Sequence, residues 1–460
     1  MARSDEVVTL ARAVPVYGAP LAVAGGMDAL VAQLRAEFGP IAPVQVARGV
    51  GAWLVLDYHA VLDVLRDADR FSSDPRRRRP SGAGGGAADG DRLRQAAGTD
   101  GTEHQRLRGG LADALEPLRP ARLGEATRLI AEGLISRFAP TGQAEIAGQF
   151  ARPLAHHLTA RILGLAPAEA DALHRLTEAR PAPGAPDPVL AFAEAVTAQR
   201  RLNGDAAAAP KDTPRRRRAV PAAAPAPAAP ATAEPSGGVL GRLLEDPALR
   251  ETEVRDQVAM LAAHAPLLGD LVTHTVAALV YDPVLRAAMA GGGVRPADAV
   301  EAALWRHPPL AVADRYATRT TRMGRALVRA GDHVLVGIAA AHTDPGLTGD
   351  GVRAGQRAHL AFGAGAHRCP AHHLAATIAT HALTALLQAL PDLHPTLPAD
   401  RLRHRLSLAT PGLEALPVAF TPVRDPGRPP VPEPAPPDVS NPLRRPPSHR
   451  PPRGDGGPGA

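Results

Sequence analysis

The chain has 460 residues, room for one large domain or two to three ordinary ones, and its 45% hydrophobic content is enough for a buried core. Aromatics are only 3%, so that core is expected to be built from Leu, Val and Ala, and the single cysteine excludes an intramolecular disulfide framework. The net charge of +6 owes much to two runs, Arg76 to Arg79 and Arg215 to Arg218, which read as solvated stretches; without interleaved aromatics they do not favour nucleic acid.

The N-terminus, "MARSDEVVTLARAV", has no long apolar region after its basic residue, so no signal peptide is expected and the location is expected to be cytoplasmic. "GGMDALVAQLRAEFGP" predicts an amphipathic helix, with Leu30, Leu34 and Phe38 at helical spacing and Gly39-Pro40 ending it. "PVQVARGVGAWLVLD" predicts a hairpin around Gly49 and Gly51, and "HAVLDVLRDADRF" a further helix. From Pro75 to Gly101 the chain turns low-complexity. Helical patterns return at His104 to Leu115, Ala126 to Phe138 and Ala147 to Leu163. From Arg180 to Gly238 the composition shifts again, interrupted by one short helix near Leu190 to Leu202. The rest of that stretch lacks the large apolar residues that would offset its ordering entropy.

A long helix is predicted from Thr252 to Tyr281. Its most apolar part, Val258 to Tyr281, carries His264, Asp270 and His274, which fits a buried core helix better than a membrane span. "RALVRAGDHVLVGIAAAH" predicts strand, turn, strand, helix. A helix is expected from about Pro370 to Leu390, and "HRLSLATPGLEALPVAF" predicts a closing hairpin. Arg424 to Ala460 is a Pro-rich tail, expected to be disordered.

The cysteine, Cys369, lies in "AFGAGAHRCPAHHLA", between a glycine-rich loop and a helix. Three readings compete. A buried inert thiol is the usual fate of a lone cysteine. A zinc ligand is the second, since His359, His367, His372 and His373 crowd nearby, but the spacing matches no standard four-ligand set. An axial thiolate to haem is the third, and local physics favours it. Gly363 and Gly365 allow a tight turn and close approach to a flat macrocycle. The following helix offers N–H groups that stabilise a thiolate, and His367 and Arg368 add donor character.

This loop resembles the haem-binding loop of the cytochrome P-450 monooxygenases, F-G-x-G-x-H-x-C-x-G-x-x-L-A. Phe362, Gly363, Gly365, His367, Cys369, Leu374 and Ala375 match, and Ala371 stands where the pattern has glycine. "DGTEHQRLR" resembles the family's H-x-x-x-R helix, giving His104 and Arg108 as partners for a haem propionate. "HPPLAVADRYATR" resembles the segment whose arginine also meets a propionate, here Arg315; the resemblance implies His367 as a further propionate contact. Arginine suits a carboxylate as a bidentate donor. The resemblance runs from about Ala36 to Phe420. It implies a mainly α fold with minor β-hairpins, the cytochrome P-450 fold, whose long central helix lies over haem. The expected haem-thiolate domain spans 1–423, with inserts at about 76–101 and 203–238, followed by the tail 424–460.

Two departures bear on function. Aligned on Pro308-Pro309, the family's buried E-x-x-R pair becomes Ala302 and Trp305, and a small set of atypical actinobacterial members also reads E-x-x-L-W here. Removing one partner of a buried ion pair costs about 3–5 kcal/mol, whereas replacing both can be neutral. Glu301 and Arg306 stand one residue outside each position. In the long helix, the family's acid and alcohol become Ala265 and Pro266, with Leu267 next; the proline should kink the helix. His264 is the nearest group able to carry a proton and is the candidate catalytic residue, beside a plain structural reading.

The resemblance implies a haem b (iron protoporphyrin IX) monooxygenase, with Cys369 as the iron's axial ligand. It would take electrons from a ferredoxin and ferredoxin reductase and insert one oxygen atom into a small apolar substrate. The alternatives are a peroxide-dependent oxidase and a haem-binding sensor or interaction protein with a signalling-type protein partner. No membrane span is expected.

Overall fold

The computed structural model describes residues 7–18, 26–79, 93–178, 187–208, 237–347 and 357–423. All of these belong to one compact unit, Met1–Pro426. The centres of both expected inserts and the tail from 424 lie outside the described residues.

In chain order the strands are β1 (Val14–Pro15), β2 (Ile41–Ala47), β3 (Val50–Val55), β4 (Phe71–Ser72), β5 (Gln143–Glu145), β6 (Val312–Ala317), β7 (Thr321–Met323), β8 (Ala326–Val328), β9 (His333–Gly337), β10 (His394–Pro395) and β11 (Pro417–Ala419). The principal helices are α1 (Gly26–Phe38), α2 (Tyr58–Arg66), α3 (Gly101–Leu115), α4 (Pro120–Phe138), α5 (Arg152–Leu163), α6 (Pro167–Glu178), α7 (Pro188–Ala208), α8 (Gly238–Glu245), α9 (Glu251–Ala263), α10 (Ala265–Tyr281), α11 (Pro283–Ala290), α12 (Pro296–Arg306), α13 (Ile338–His342) and α14 (His372–Ala389). The molecule is therefore mainly α with small sheets, as the sequence predicts.

A six-stranded sheet has the order β1-β2-β3-β9-β6-β4. The hairpin β2–β3 turns at Gly49, whose φ of +74° suits glycine. Its apolar face joins α1 and α2 in a core around Trp53, Leu34 and Phe71, all at most 1% exposed. The Trp53 indole donates to Asp332 Oδ2 at 3.1 Å, which satisfies its one buried polar group. A second core gathers Leu, Val and Ala from α4, α5, α10, α12 and α14, in keeping with the scarcity of aromatics.

Three elements differ from the sequence expectation. The predicted long helix is broken into α9 and α10 at His264, two residues before the proline. Pro266 sits in the first turn of α10 and has no N–H to return to the turn before it. The Leu267 N–H reaches His264 O at 3.0 Å instead. The helix predicted near Leu190 to Leu202 is longer, Pro188–Ala208. The closing hairpin reduces to a single bridge between His404 and Leu413. Between them Ser407 Oγ accepts the Thr410 N–H at 3.0 Å, which favours a loop over paired strands, and β11 pairs with β5 and β10.

Around the expected first insert, both flanks are built into the fold. Asp74 caps the turn Pro75–Arg77 by accepting from the Arg76 N–H. On the far side, Arg94 N–H donates to Asp256 Oδ2 at 2.7 Å, and Ala96 N–H to Gln257 Oε1 at 3.3 Å. These bonds tie the approach to α3 onto α9. Among the described residues one stretch, Glu251–Tyr281, is long and apolar enough to cross a membrane; 72% of its most apolar window is buried inside the protein, as a core helix requires.

Candidate haem site

The cysteine loop is shaped by two left-handed glycines. Gly363 has φ +70° and Gly365 φ +67°. A Cβ on Gly365 would lie 2.6 Å from Leu65 O and 3.0 Å from Arg66 Cα, so the loop needs glycine there for conformation and for space. The Cys369 N–H donates to Phe362 O at 2.9 Å and closes the loop. Ala371, which replaces the family's glycine, has φ −96° and ψ 14°. That conformation is open to alanine, so the departure costs the backbone nothing.

The Cys369 thiol is half-buried. Burial pushes its pKa up; the Ala371 N–H at the sulfur and the charges of Arg108 and Arg368 pull the other way. Burial prevails, so the sulfur favours the neutral thiol, with one N–H donor and two cations that oppose burial. The Phe362 ring packs between His359 and His372, with centroids 5.7 Å and 6.0 Å away. Among the described residues the histidines of this region and Cys369 form no metal-holding group of the zinc kind.

A second cluster lies where α3, β6 and the cysteine loop meet. His104 is buried, with Nδ1 2.7 Å from Ala96 O and Nε2 3.2 Å from Ala366 O. It therefore links α3 to the cysteine loop through main-chain carbonyls. Its ring lies 4.0 Å from that of His367. His367 Nε2 is 3.3 Å from Asp100 Oδ1, and its Nδ1 is buried with no partner among the described residues. Burial lowers the His367 pKa; the bond to Asp100 opposes this, and Arg315 and His104 add to it. Arg315, 7% exposed on β6, donates to Asp314 O at 2.7 Å. Burial lowers its pKa too, against the nearby carboxylates of Asp100 and Asp314.

Asp100 was not legible as a site residue. Burial pushes its carboxyl up, but bonds from His367, Ser72 Oγ and the Ser73 N–H outweigh burial and hold it well below the carboxylate range. Its position four residues before His104, at the start of α3, is the signal that could have found it. Ser73 Oγ is also buried without a partner among the described residues.

The structure thus brings His104, His367 and Arg315 into one cluster and sets Arg108 beside Cys369. His264 stands elsewhere, at the α9–α10 break. Its Nδ1 lies 2.6 Å from Met260 O, which leaves Nε2 as the atom able to exchange a proton. Ala263 and His264 are exposed, while Ala262 and Ala265 are buried.

The vacated E-x-x-R positions have other partners. Trp305 is buried and Ala302 is exposed. Glu301 Oε2 meets His359 Nε2 at 3.2 Å, so its partner lies in the approach to the cysteine loop. His342 Nδ1 lies 3.0 Å from Trp305 O, and its Nε2 accepts the Leu360 N–H at 2.8 Å. With Nε2 accepting, Nδ1 carries the proton and donates to Trp305 O. Two histidine links therefore fasten α12 to residues 359 and 360. A cavity of about 1530 Å³ opens beside this helix, lined by His274, Ala302, Trp305, His307, His404 and Leu408 among others. Cys369, Arg108, Arg315 and His367 do not line it.

A haem fits these residues. Two buried polar atoms, His367 Nδ1 and Ser73 Oγ, have no partner among the described residues. A buried guanidinium stands beside them, and the cysteine loop is held in a form that only glycine permits at Gly365. The fold is that of the cytochrome P450 class, and the loop is of the kind a haem-thiolate protein needs.

No family model matches the sequence. Among curated proteins the chain is similar to mycinamicin IV hydroxylase/epoxidase of Micromonospora griseorubida, 29% identical over 405 residues that span 84% of this chain and 93% of that one. It is also similar to cytochrome P450 monooxygenase PikC of Streptomyces venezuelae, 28% identical over 408 residues, 86% of this chain and 92% of that one. Among solved structures, CYP154C4 of a Streptomyces species superposes with a TM-score of 0.73 at 22% identity, over 90% of this chain and 98% of its own. CYP154A1 of Streptomyces coelicolor gives 0.68 at 22%, over 89% and 100%. The sequence is thus similar over most of its length to bacterial cytochrome P450 monooxygenases, oxidoreductases that use haem b, and the chain has the cytochrome P450 fold.

Proposed function

We propose that the chain inserts one oxygen atom from dioxygen into a small apolar molecule, with electrons from a ferredoxin served by a ferredoxin reductase, in the cytoplasm. The observation that carries this reading is the sulfur of Cys369, which receives the Ala371 N–H and faces the charges of Arg108 and Arg368. Cys369 Sγ would ligate the iron, and Arg108, Arg315 and His367 would hold the propionates. His104 fixes α3 against the loop through Ala366 O. A bound haem with a thiolate ligand supplies the electron push that favours O–O cleavage.

The chain's own distal contribution is small. Residues 265–267 offer neither carboxylate nor hydroxyl, and the broken helix places the His264 imidazole at the gap. His264 Nε2 takes the role of holding and passing a proton there. Similar proteins carry the names mycinamicin IV hydroxylase/epoxidase, 20-oxo-5-O-mycaminosyltylactone 23-monooxygenase and 2-hydroxy-5-methyl-1-naphthoate 7-hydroxylase, which supports a carbon-rich substrate. A second reading, a haem-binding sensor or interaction protein or a peroxide-dependent oxidase, draws on the same missing acid and alcohol.

The test is spectral and kinetic. The reduced, carbon monoxide-bound protein should show the red-shifted Soret band of a thiolate ligand, and Cys369→Ser should lose it; an unshifted band in the parent protein sinks the thiolate assignment. Turnover with a surrogate ferredoxin and reductase supports dioxygen use. Turnover with peroxide alone supports the oxidase, and tight haem binding without turnover by either route supports the sensor.

A further inference from the structure

Helices α5 and α6 pack together and are joined by only Gly164 to Ala166, with Gly164 at φ +81° making the turn. Three metal-ligating side chains meet between them, far in sequence from the cysteine loop. His156 comes from α5. His174 and Glu178 come from α6, four residues apart and so on one face. One ligand atom from each lies within 4.8 Å of the others. None of the three takes part in the haem site described above.

The two imidazoles are already at chelating separation. His156 Nδ1 and His174 Nδ1 are 3.1 Å apart. Two nitrogens bound tetrahedrally to one zinc, at the usual bond length, sit about 3.3 Å apart. His156 is fully buried, His174 is half-buried and Glu178 is exposed, so the group opens to solvent on its carboxylate side. That leaves an entry path and room for water as a fourth ligand.

The surroundings supply the outer shell. Without a metal, His156 Nδ1–H donates to Arg152 O at 2.7 Å. A metal on Nδ1 moves that proton to Nε2, which faces Thr177 Oγ1. The Thr177 hydroxyl has Leu173 O and His174 O, both at 3.1 Å, to receive its own hydrogen, so it is free to accept from Nε2. Such a partner fixes the tautomer of a metal-bound histidine. Arg152 Nη1 stands 3.7 Å from Glu178, a loose pair. Its other nitrogen donates to Leu413 O and Glu414 O at 3.1 and 2.9 Å, which anchors the guanidinium elsewhere and leaves Glu178 able to turn to a cation.

We propose that His156, His174 and Glu178 form a binding site for a divalent transition metal of the zinc class, bridging α5 and α6. Two imidazoles and one carboxylate suit zinc rather than calcium or magnesium, which favour all-oxygen sets. No redox change accompanies binding, and the His156 proton stays on the ring.

The experiment uses the full-length, haem-loaded chain, stripped with a chelator and dialysed against Zn²⁺ alone. Metal content is read by mass spectrometry and affinity by calorimetry. One zinc per chain is expected. Affinity should fall at least about tenfold in His174→Gln and in Glu178→Gln, both at surface-accessible positions that leave buried His156 in place. His394→Gln, at an exposed histidine on β10, should leave it unchanged. Zinc-edge X-ray absorption should report nitrogen and oxygen ligands only. Absence of stoichiometric zinc, or affinity in His174→Gln and Glu178→Gln equal to that of the parent chain, overturns the proposal. A sulfur ligand overturns it as well, because Cys369 is the chain's one cysteine.

Discussion

The two glycines of the cysteine loop should respond differently to a single added methyl group. Both have positive φ, so alanine at either pays about 1–2 kcal/mol for the left-handed conformation. At Gly363 the new Cβ meets nothing nearer than His367 O at 3.6 Å, an ordinary contact. At Gly365 it meets Leu65 O at 2.6 Å, about 0.8 Å inside the 3.4 Å at which ordinary contact begins. That atom is main chain at the end of α2 and cannot swing aside, so overpacking adds about 1–3 kcal/mol. The expected losses are about 1–2 kcal/mol for Gly363→Ala and about 2–5 kcal/mol for Gly365→Ala. Ala371→Gly should change stability by less than about 0.5 kcal/mol, since Ala371 is unstrained. Denaturant midpoints give the stabilities, and the rate of haem transfer to an apo-globin acceptor gives the loop's grip on its cofactor. Equal losses at Gly363 and Gly365, or a neutral Gly365→Ala, would refute the steric argument.

Other outcomes follow from the same geometry. A double-mutant cycle between Glu301→Gln and His359→Gln should give a coupling of about 0.5–3 kcal/mol in unfolding, since the pair joins α12 to the cysteine loop; additive losses would remove that link. Burial holds His307 down to about 4, and burial with the neighbouring His307 and His404 holds His274 well below its usual value. Unfolding therefore takes up protons between about pH 6.5 and about 4, and stability, full above 6.5, falls as the pH drops through that window. His307→Gln should reduce the uptake by about one proton, measured from the pH dependence of the denaturant midpoint. Restoring an acid and alcohol as Ala265→Asp with Pro266→Thr should raise dioxygen-driven turnover and lower peroxide release, read as product formed per electron consumed; no change would show that proton supply does not limit the reaction.

The helices, the β2–β3 hairpin and the cysteine loop were legible because each has a local cause. Apolar residues recur at helical spacing, Gly49 turns the hairpin, and Gly363 and Gly365 shape the loop. Pro266 predicted a kink in one long helix; the structure shows a break, and it falls two residues earlier at His264. What was not legible depends on residues distant in sequence. Asp100 gains its role from His367, 267 positions away, and Glu301 finds His359 rather than an arginine on its own helix. The extent of α7 is also a matter of packing, since that helix lies against α9. His156 and His174 gave no sequence signal, because their spacing becomes meaningful only once α5 folds back on α6.

The joint between α9 and α10 also has a mechanical meaning. A continuous helix of that length is a stiff lever, and a tilt at one end reaches the other undiminished. Here α9 rests chiefly on α7, with further contact to α8 and α5, while α10 rests on α5, α12 and α14. With Pro266 removing a tie across the joint, a displacement of α7 and α9 can be taken up as bending at His264. The α10 end keeps its seat against α12 and α14, the helix that follows the cysteine loop. The helix pair acts less as a transmission rod than as a shock absorber.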